Sequence, residues 1–267
     1  MLMGPYRPKP RSHRETMRRE PLFSAGGVYP FLLRRNLLLH REAIRAGSTF
    51  LSAWRRRARP QLRIFRVLDL ACGSQPTIVA GILRRFRGVQ FRYTGIDVNE
   101  DQIRCARETF RFSKNVNAAF RRGDAWSLAG IPEKGRFDLV FIGLNVHHCT
   151  PAMIRASVRK VFQRMAPMGI LVNHDIFRPE GSKGGWREDL LDAVTERLRQ
   201  EGAGSDVIHD VIGHMREKDY PISRKEMKKI LEKTGFQVSV PPLYPTANPL
   251  RKFYSMIVGY KIQTGRT

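Results

Sequence analysis

Three acids stand where this chain reads as reaching the ends of successive strands: Asp69, Asp97 and Asp124. Val67-Leu68-Asp69-Leu70-Ala71-Cys72-Gly73-Ser74-Gln75-Pro76 reads as a buried strand that ends on an acid, turns at a glycine and opens a helix. A side chain at Gly73 would block a ligand from approaching the backbone. The helix that follows offers free backbone N–H groups. Gly95-Ile96-Asp97-Val98 ends the next strand 28 residues after Asp69. A carboxylate there accepts from both hydroxyls of a ribose, which points to an adenosine-like ligand. Further on, Leu144-Asn145-Val146-His147-His148 puts two imidazoles after a strand, with a pKa suited to taking a proton from a nucleophile. His174-Asp175 is expected just after another strand, at the pocket mouth, either touching substrate or forming a hydrogen-bonded pair. His209 and His214 lack the i, i+4 spacing of a helical metal pair, and Cys72, Cys105 and Cys149 are widely spaced. No metal site is expected.

These residues need an alternating frame. Strands are expected at about 66–70, 91–96, 118–121, 138–142, 169–173, 236–240 and 254–260. Helices are expected at about 76–86, 99–112, 151–165 and 223–234. Strand–helix alternation implies parallel pairing in a doubly wound α/β sheet. The connection between the last two strands, with Pro241, Pro242, Pro245 and Pro249, is too short for a helical crossover, so the last strand should enter antiparallel, at an edge. The spacing also predicts helix over 29–59, split near Gly47 and Ser48. An insertion over about 178–220 holds an amphipathic helix at 187–201 and should roof a substrate pocket.

On these motifs the chain resembles the class I S-adenosylmethionine-dependent methyltransferases, of the small-molecule type. The resemblance covers about residues 62–262. Ala71 and Gln75 stand where the family usually has glycines in its first loop. It implies a Rossmann-like, seven-stranded, mostly parallel sheet. It also implies S-adenosylmethionine as cofactor and S-adenosylhomocysteine as product. Asp69 would meet the cofactor's ammonium group within the loop Ala71, Cys72, Gly73 and Gln75. Asp97 and Val98 would meet the ribose, with Gln102 on the following helix. Gly123, Asp124 and Ala125 would face the adenine, and Leu144, Asn145 and His148 would run under the sulfonium. Tyr29 would close over the cofactor. His147, His148 and His174 are the candidate catalytic groups.

Composition limits the alternatives. The net charge is +24, of which 16 Lys/Arg and 3 Asp/Glu in residues 1–66 contribute +13 and the remaining 201 residues +11. Residues 1–20 read as a disordered basic arm with Pro5, Pro8 and Pro10 and no signal-like apolar run. Residues 21–61 read as a helical extension, 62–262 as the main domain and 263–267 as a tail. No transmembrane run is present, and the cysteine usage suits a reducing cytoplasm. Residues 145–148 lack the prolines of a base-amino methyltransferase, and no Pro-Cys nucleophile is found, so a small-molecule acceptor is the first expectation. An RNA methyltransferase that grips phosphates with the basic N-terminal quarter is the second. A non-catalytic cofactor-binding regulator is the third.

Overall fold

The computed structural model describes residues 28–86, 88–131, 136–182, 184–241 and 248–262; the basic arm and the C-terminal tail lie outside these. Two helices, α1 (Tyr29–Arg34) and α2 (His40–Ala58), precede β1 (Ile64–Leu70), α3 (Thr77–Leu83), β2 (Gln90–Asp97), α4 (Glu100–Thr109) and β3 (Val116–Arg122). Then come β4 (Phe137–Gly143), a single 3₁₀ turn (Val146–His148), α5 (Pro151–Arg164) and β5 (Met165–Ile176). The chain ends with α6 (Trp186–Gln200), α7 (Ser205–Lys218), α8 (Arg224–Thr234), β6 (Phe236–Ser239) and β7 (Tyr254–Lys261).

The sheet order is β3-β2-β1-β4-β5-β7-β6. β1 to β5 are parallel, and β7 runs antiparallel to both of its neighbours, β5 and β6. The last strand therefore enters antiparallel as expected, but it lies inside the sheet; β6 forms the edge. Its composition suits that place. Tyr254 to Gly259 are buried, and Met256, Ile257 and Val258 are 0% exposed.

Neighbouring residues on each strand face opposite sides. Val67, Leu139 and Val172 join the core beneath α2 and α3; Leu68, Val140 and Leu171 join the core beneath α5 and α8. α8 opens with the capping box Ser223/Glu226 and stops at left-handed Gly235, as its sequence predicts.

The N-terminal helices divide at residues 35–39, not at Gly47. Asn36 and Leu39 take left-handed backbone there, and the Asn36 side chain accepts from the Arg41 N–H and donates to Glu42. Gly47 lies inside α2, where a Cβ would fall 2.6 Å from the Ile82 side chain. The missing side chain lets α2 approach α3. Asp138 anchors this layer: its buried carboxylate pairs with Arg59 at the end of α2 and with Arg66 on β1. After β5, α6 and α7 pack on each other, and their Leu190, Leu191, Val194, Leu198, Val211 and Met215 form a third apolar cluster with Leu32, Leu37 and Tyr254.

Candidate active site

The carboxyl ends of β1, β2, β3 and β4 open on one cavity, where a parallel sheet binds its ligands. Its lining includes Gly73, Asp97, Asp124 and Asn145, with Trp126 and Met153 forming apolar wall. Gly73 takes a left-handed φ of 59°, and a Cβ there would meet no atom of the chain within 4 Å. Packing leaves this face of the loop open.

Asp97 organises the floor. Its carboxylate accepts the Gly73 N–H and the Asn99 N–H, each at 2.9 Å. Burial pushes its pKa up, and hydrogen bonds from Asn99, Gly73 and Val98 pull against that. Gln102 accepts the Ser74 N–H at 2.9 Å and ties α4 to the same loop. Asp124 accepts the Trp126 N–H at 2.8 Å, which turns the chain after β3.

Most of the cofactor residues expected from the sequence meet here: Tyr29, Ala71, Cys72, Gly73, Asp97, Val98, Gln102, Asp124, Ala125, Leu144, Asn145 and His148 all line the cavity. Asp69, Gln75 and Gly123 stand elsewhere. Asp69 lies beneath the loop on a smaller adjoining cavity that Tyr29, Ala71 and Cys72 also line. It accepts from the Tyr93 hydroxyl at 2.7 Å. Burial pushes its carboxyl up to about 7 against that hydrogen bond, with the charge of Asp97 adding to the rise. The Gln75 carbonyl accepts the Thr77 N–H at the start of α3. Gly123 is needed for backbone proximity, since a Cβ there would fall 2.5 Å from the Ala129 carbonyl oxygen. Trp126, Met153, Asn99 and Gly143 were not among the residues expected. Trp126 follows Asp124-Ala125 directly, but nothing in its spacing says which way an apolar ring turns.

A second cavity, about 660 Å³, adjoins the first; most of its wall is apolar, and one end carries His147, His148, His214 and Asp219. Leu32, Leu37, Ile176, Val194, Leu198 and Met215 are among its walls. Tyr29, Leu144 and His148 line both cavities.

The histidines divide by position. Asp175 receives the N–H groups of Asn145 and Val146, at 3.0 and 2.7 Å, and pairs closely with His147 Nδ1. Burial disfavours charge on His147, but Asp175 and Asp219 outweigh it and raise its pKa to about 9. His148 is shifted the other way, by burial and by the neighbouring His147. His174 and Asp175 are not beyond β5. They lie within it, because β4 and β7 pair with the strand as far as Gly143 and Tyr254. His174 is 0% exposed, stacks on Tyr254 and points Nε2 at the Leu38 carbonyl at 3.1 Å. It lines neither cavity.

A mostly parallel sheet of this order, with carboxylates at successive strand ends around a glycine loop, has the arrangement that suits a nucleoside-bearing ligand. Residues 67–169 match the family model described as "Methyltransferase domain". That match runs from β1 into β5, and the fold of the chain is that of class I S-adenosylmethionine-dependent methyltransferases. Similar solved structures include the CurJ carbon methyltransferase (TM-score 0.53, 21% identity, covering 77% of this chain and 50% of that one). They also include the S-adenosylmethionine-dependent methyltransferase SibL (0.52, 15%, 80% and 57%). A third is the plantazolicin methyltransferase BpumL in complex with SAH (0.59, 13%, 88% and 88%). The chain thus spans about half the length of the first two structures. No curated protein sequence matches it.

The residues present fit the family's cofactor. An open glycine turn, the strand-end carboxylate of Asp97 and the Asp124-Ala125 turn line one cavity, and Asp69 lines the smaller cavity beside it.

Proposed function

We propose that this chain transfers a methyl group from S-adenosylmethionine to an apolar small molecule. The observation that carries this reading is the junction of the two cavities. One is rimmed by carboxylates and backbone N–H groups, the other is mostly apolar, and both share Tyr29, Leu144 and His148. When bound, the cofactor would supply an electrophilic methyl group on a sulfonium, with a neutral thioether as its leaving group.

The chain's own residues do the rest. Asp97 would accept from the ribose hydroxyls, Asp124 and Ala125 would border the adenine, and Asp69 would answer the ammonium group. The apolar walls exclude water and hold the acceptor in line with the methyl, which is worth more than any single proton transfer. His148, on the shared wall, is the polar group toward which the acceptor's reacting atom turns. His147, clamped by Asp175, orients it. His174 serves as a positioning residue that secures the residue 35–39 turn to β5. The helices of residues 21–61 and the insertion of 178–220 would act together as the cover of the acceptor cavity.

Calorimetry with S-adenosylhomocysteine tests the first step, and transfer of a labelled methyl group to a panel of apolar phenols, amines and acids tests the second. Tight binding with transfer to one of these classes is expected. No binding by the wild-type chain, or transfer only to RNA, would defeat the proposal.

A further inference from the structure

Three imidazoles from two distant stretches of chain converge on one carboxylate at the end of the apolar cavity. His147 and His148 come from the 3₁₀ turn after β4, His214 from α7 and Asp219 from the residue that caps α7. Asp219 Oδ1 lies 3.2 Å from His148 Nδ1, 3.7 Å from His214 Nε2 and 3.8 Å from His147 Nε2. That oxygen is buried, yet it makes no well-formed hydrogen bond among the described residues. Donor atoms of His147, His148 and Asp219 all lie within 4.8 Å of one another. Ligands about 2.0–2.1 Å from a tetrahedral ion stand about 3.3 Å apart, so a small contraction brings this set onto one centre.

Asp175 holds His147 by Nδ1, which leaves Nε2 facing Asp219. A carboxylate behind a ligating imidazole fixes the ring and its tautomer, the usual support of a metal-bound histidine. Lys218 contributes only its backbone carbonyl, 3.3 Å from His148 Nδ1. No lysine or arginine is among the residues lining this cavity.

We infer that His147, His148 and Asp219, with His214 beside them, form a site for a divalent ion of the zinc class. Imidazoles plus one carboxylate are borderline donors that suit Zn²⁺ and, as a spectroscopic stand-in, Co²⁺. The inference deepens the proposed function and rests on it. Because the site lies on the acceptor cavity and its His148 reaches the cofactor cavity, the acceptor would be a molecule whose reacting oxygen or nitrogen ligates the ion. Ligation would lower that atom's pKa before methylation.

The test uses the full chain, stripped with a chelator and titrated with Zn²⁺ by calorimetry and with Co²⁺ by visible absorption. One ion per chain and the intense visible bands of tetrahedral Co²⁺ are expected. His148→Ala and Asp219→Ala should abolish the bands, and Asp175→Asn should weaken Zn²⁺ about 10- to 100-fold. The same samples are titrated with S-adenosylhomocysteine. Cofactor binding without ion uptake by the wild type overturns the metal site and leaves the methyltransferase reading standing. Ion uptake without cofactor binding overturns that reading instead. Ion affinity unchanged in both His148→Ala and Asp219→Ala places the ion elsewhere and overturns the inference. Where an alanine variant fails to fold, the near-isosteric Asp219→Asn and His148→Gln take its place: loss of the Co²⁺ bands in these supports the site, and unchanged bands in both overturn it.

Discussion

The two cavities that meet at Tyr29, Leu144 and His148 are made from different kinds of chain. The cofactor side is built by short loops at the ends of consecutive parallel strands, each anchored by a carboxylate holding backbone N–H groups. The side proposed for the acceptor is assembled from α1, the turn at 35–39, the 3₁₀ turn after β4, β5, α6, α7 and a second 3₁₀ turn (Pro249–Lys252) before β7, segments far apart in sequence. One side is fixed by local geometry; the other exists only once the whole domain has closed. Damage to the first should therefore appear in cofactor binding alone, and damage to the second in the acceptor alone.

The largest separation is expected at Asp97. Its carboxylate both shapes the glycine loop and would accept two ribose hydroxyls. Charge-assisted hydrogen bonds contribute about 1.5–3 kcal/mol each, so Asp97→Ala should weaken S-adenosylhomocysteine by about 100-fold or more. Calorimetry reads this directly. Binding within a few-fold of wild type would break the assignment of the cofactor side.

Asp69 tests the same side by pH. Its folded-state pKa of about 7 lies above the value of about 3.9 for an unfolded aspartate. The native state therefore holds the proton more tightly. Its stabilising effect is complete below about pH 4 and is lost as pH rises to about 7, by no more than about 4 kcal/mol. Thermal melts of the cofactor-free chain should show this decline, and Asp69→Asn should flatten it. An ammonium group arriving beside Asp69 would favour the carboxylate, so cofactor binding near pH 6 should release a proton. Calorimetry in buffers of different ionisation enthalpy measures that release.

On the acceptor side, Leu198→Phe or Val211→Phe would fill part of the apolar cavity. A change of this size in an apolar pocket alters discrimination by about 10- to 200-fold. Transfer to bulky acceptors should fall by that amount, while S-adenosylhomocysteine binding stays within about twofold. Equal losses in both measurements would erase the distinction between the two sides.

The difference in construction also explains what could be read in advance. That Gly73, Asp97 and Asp124 meet on one cavity was legible because each stands at a strand end or in the short turn that follows it. β7 was legible as antiparallel from a short connection, but its place inside the sheet depends on pairing partners that no local pattern names. The break in the N-terminal helices went to Asn36 and Leu39 because Gly47 is occupied in close packing against Ile82. His214 and Asp219 lie about 70 residues from His147 and His148, on a helix whose own periodicity shows only an apolar face. Their meeting is a property of the tertiary structure.

The smallest effect compares one backbone device on the two sides. Ala71 and Leu144 both take left-handed backbone, with φ of 57° and 49°. An L-residue in that region is strained by about 1–2 kcal/mol, and glycine relieves the strain at some entropic cost. At Ala71, where the side chain is a single methyl, Ala71→Gly should stabilise the chain by about 1 kcal/mol or less, a rise in Tm of a few degrees. At Leu144 the side chain packs against the third apolar cluster and lines both cavities. Leu144→Gly should lose more in buried apolar contact than it gains in relief, and the Tm should fall. Opposite signs at two equally strained positions would mean that the cofactor loop tolerates its departure from glycine, whereas the shared wall depends on having a side chain. A Tm that rises in both variants would show that Leu144 contributes strain without support, and the wall between the cavities would then need another explanation.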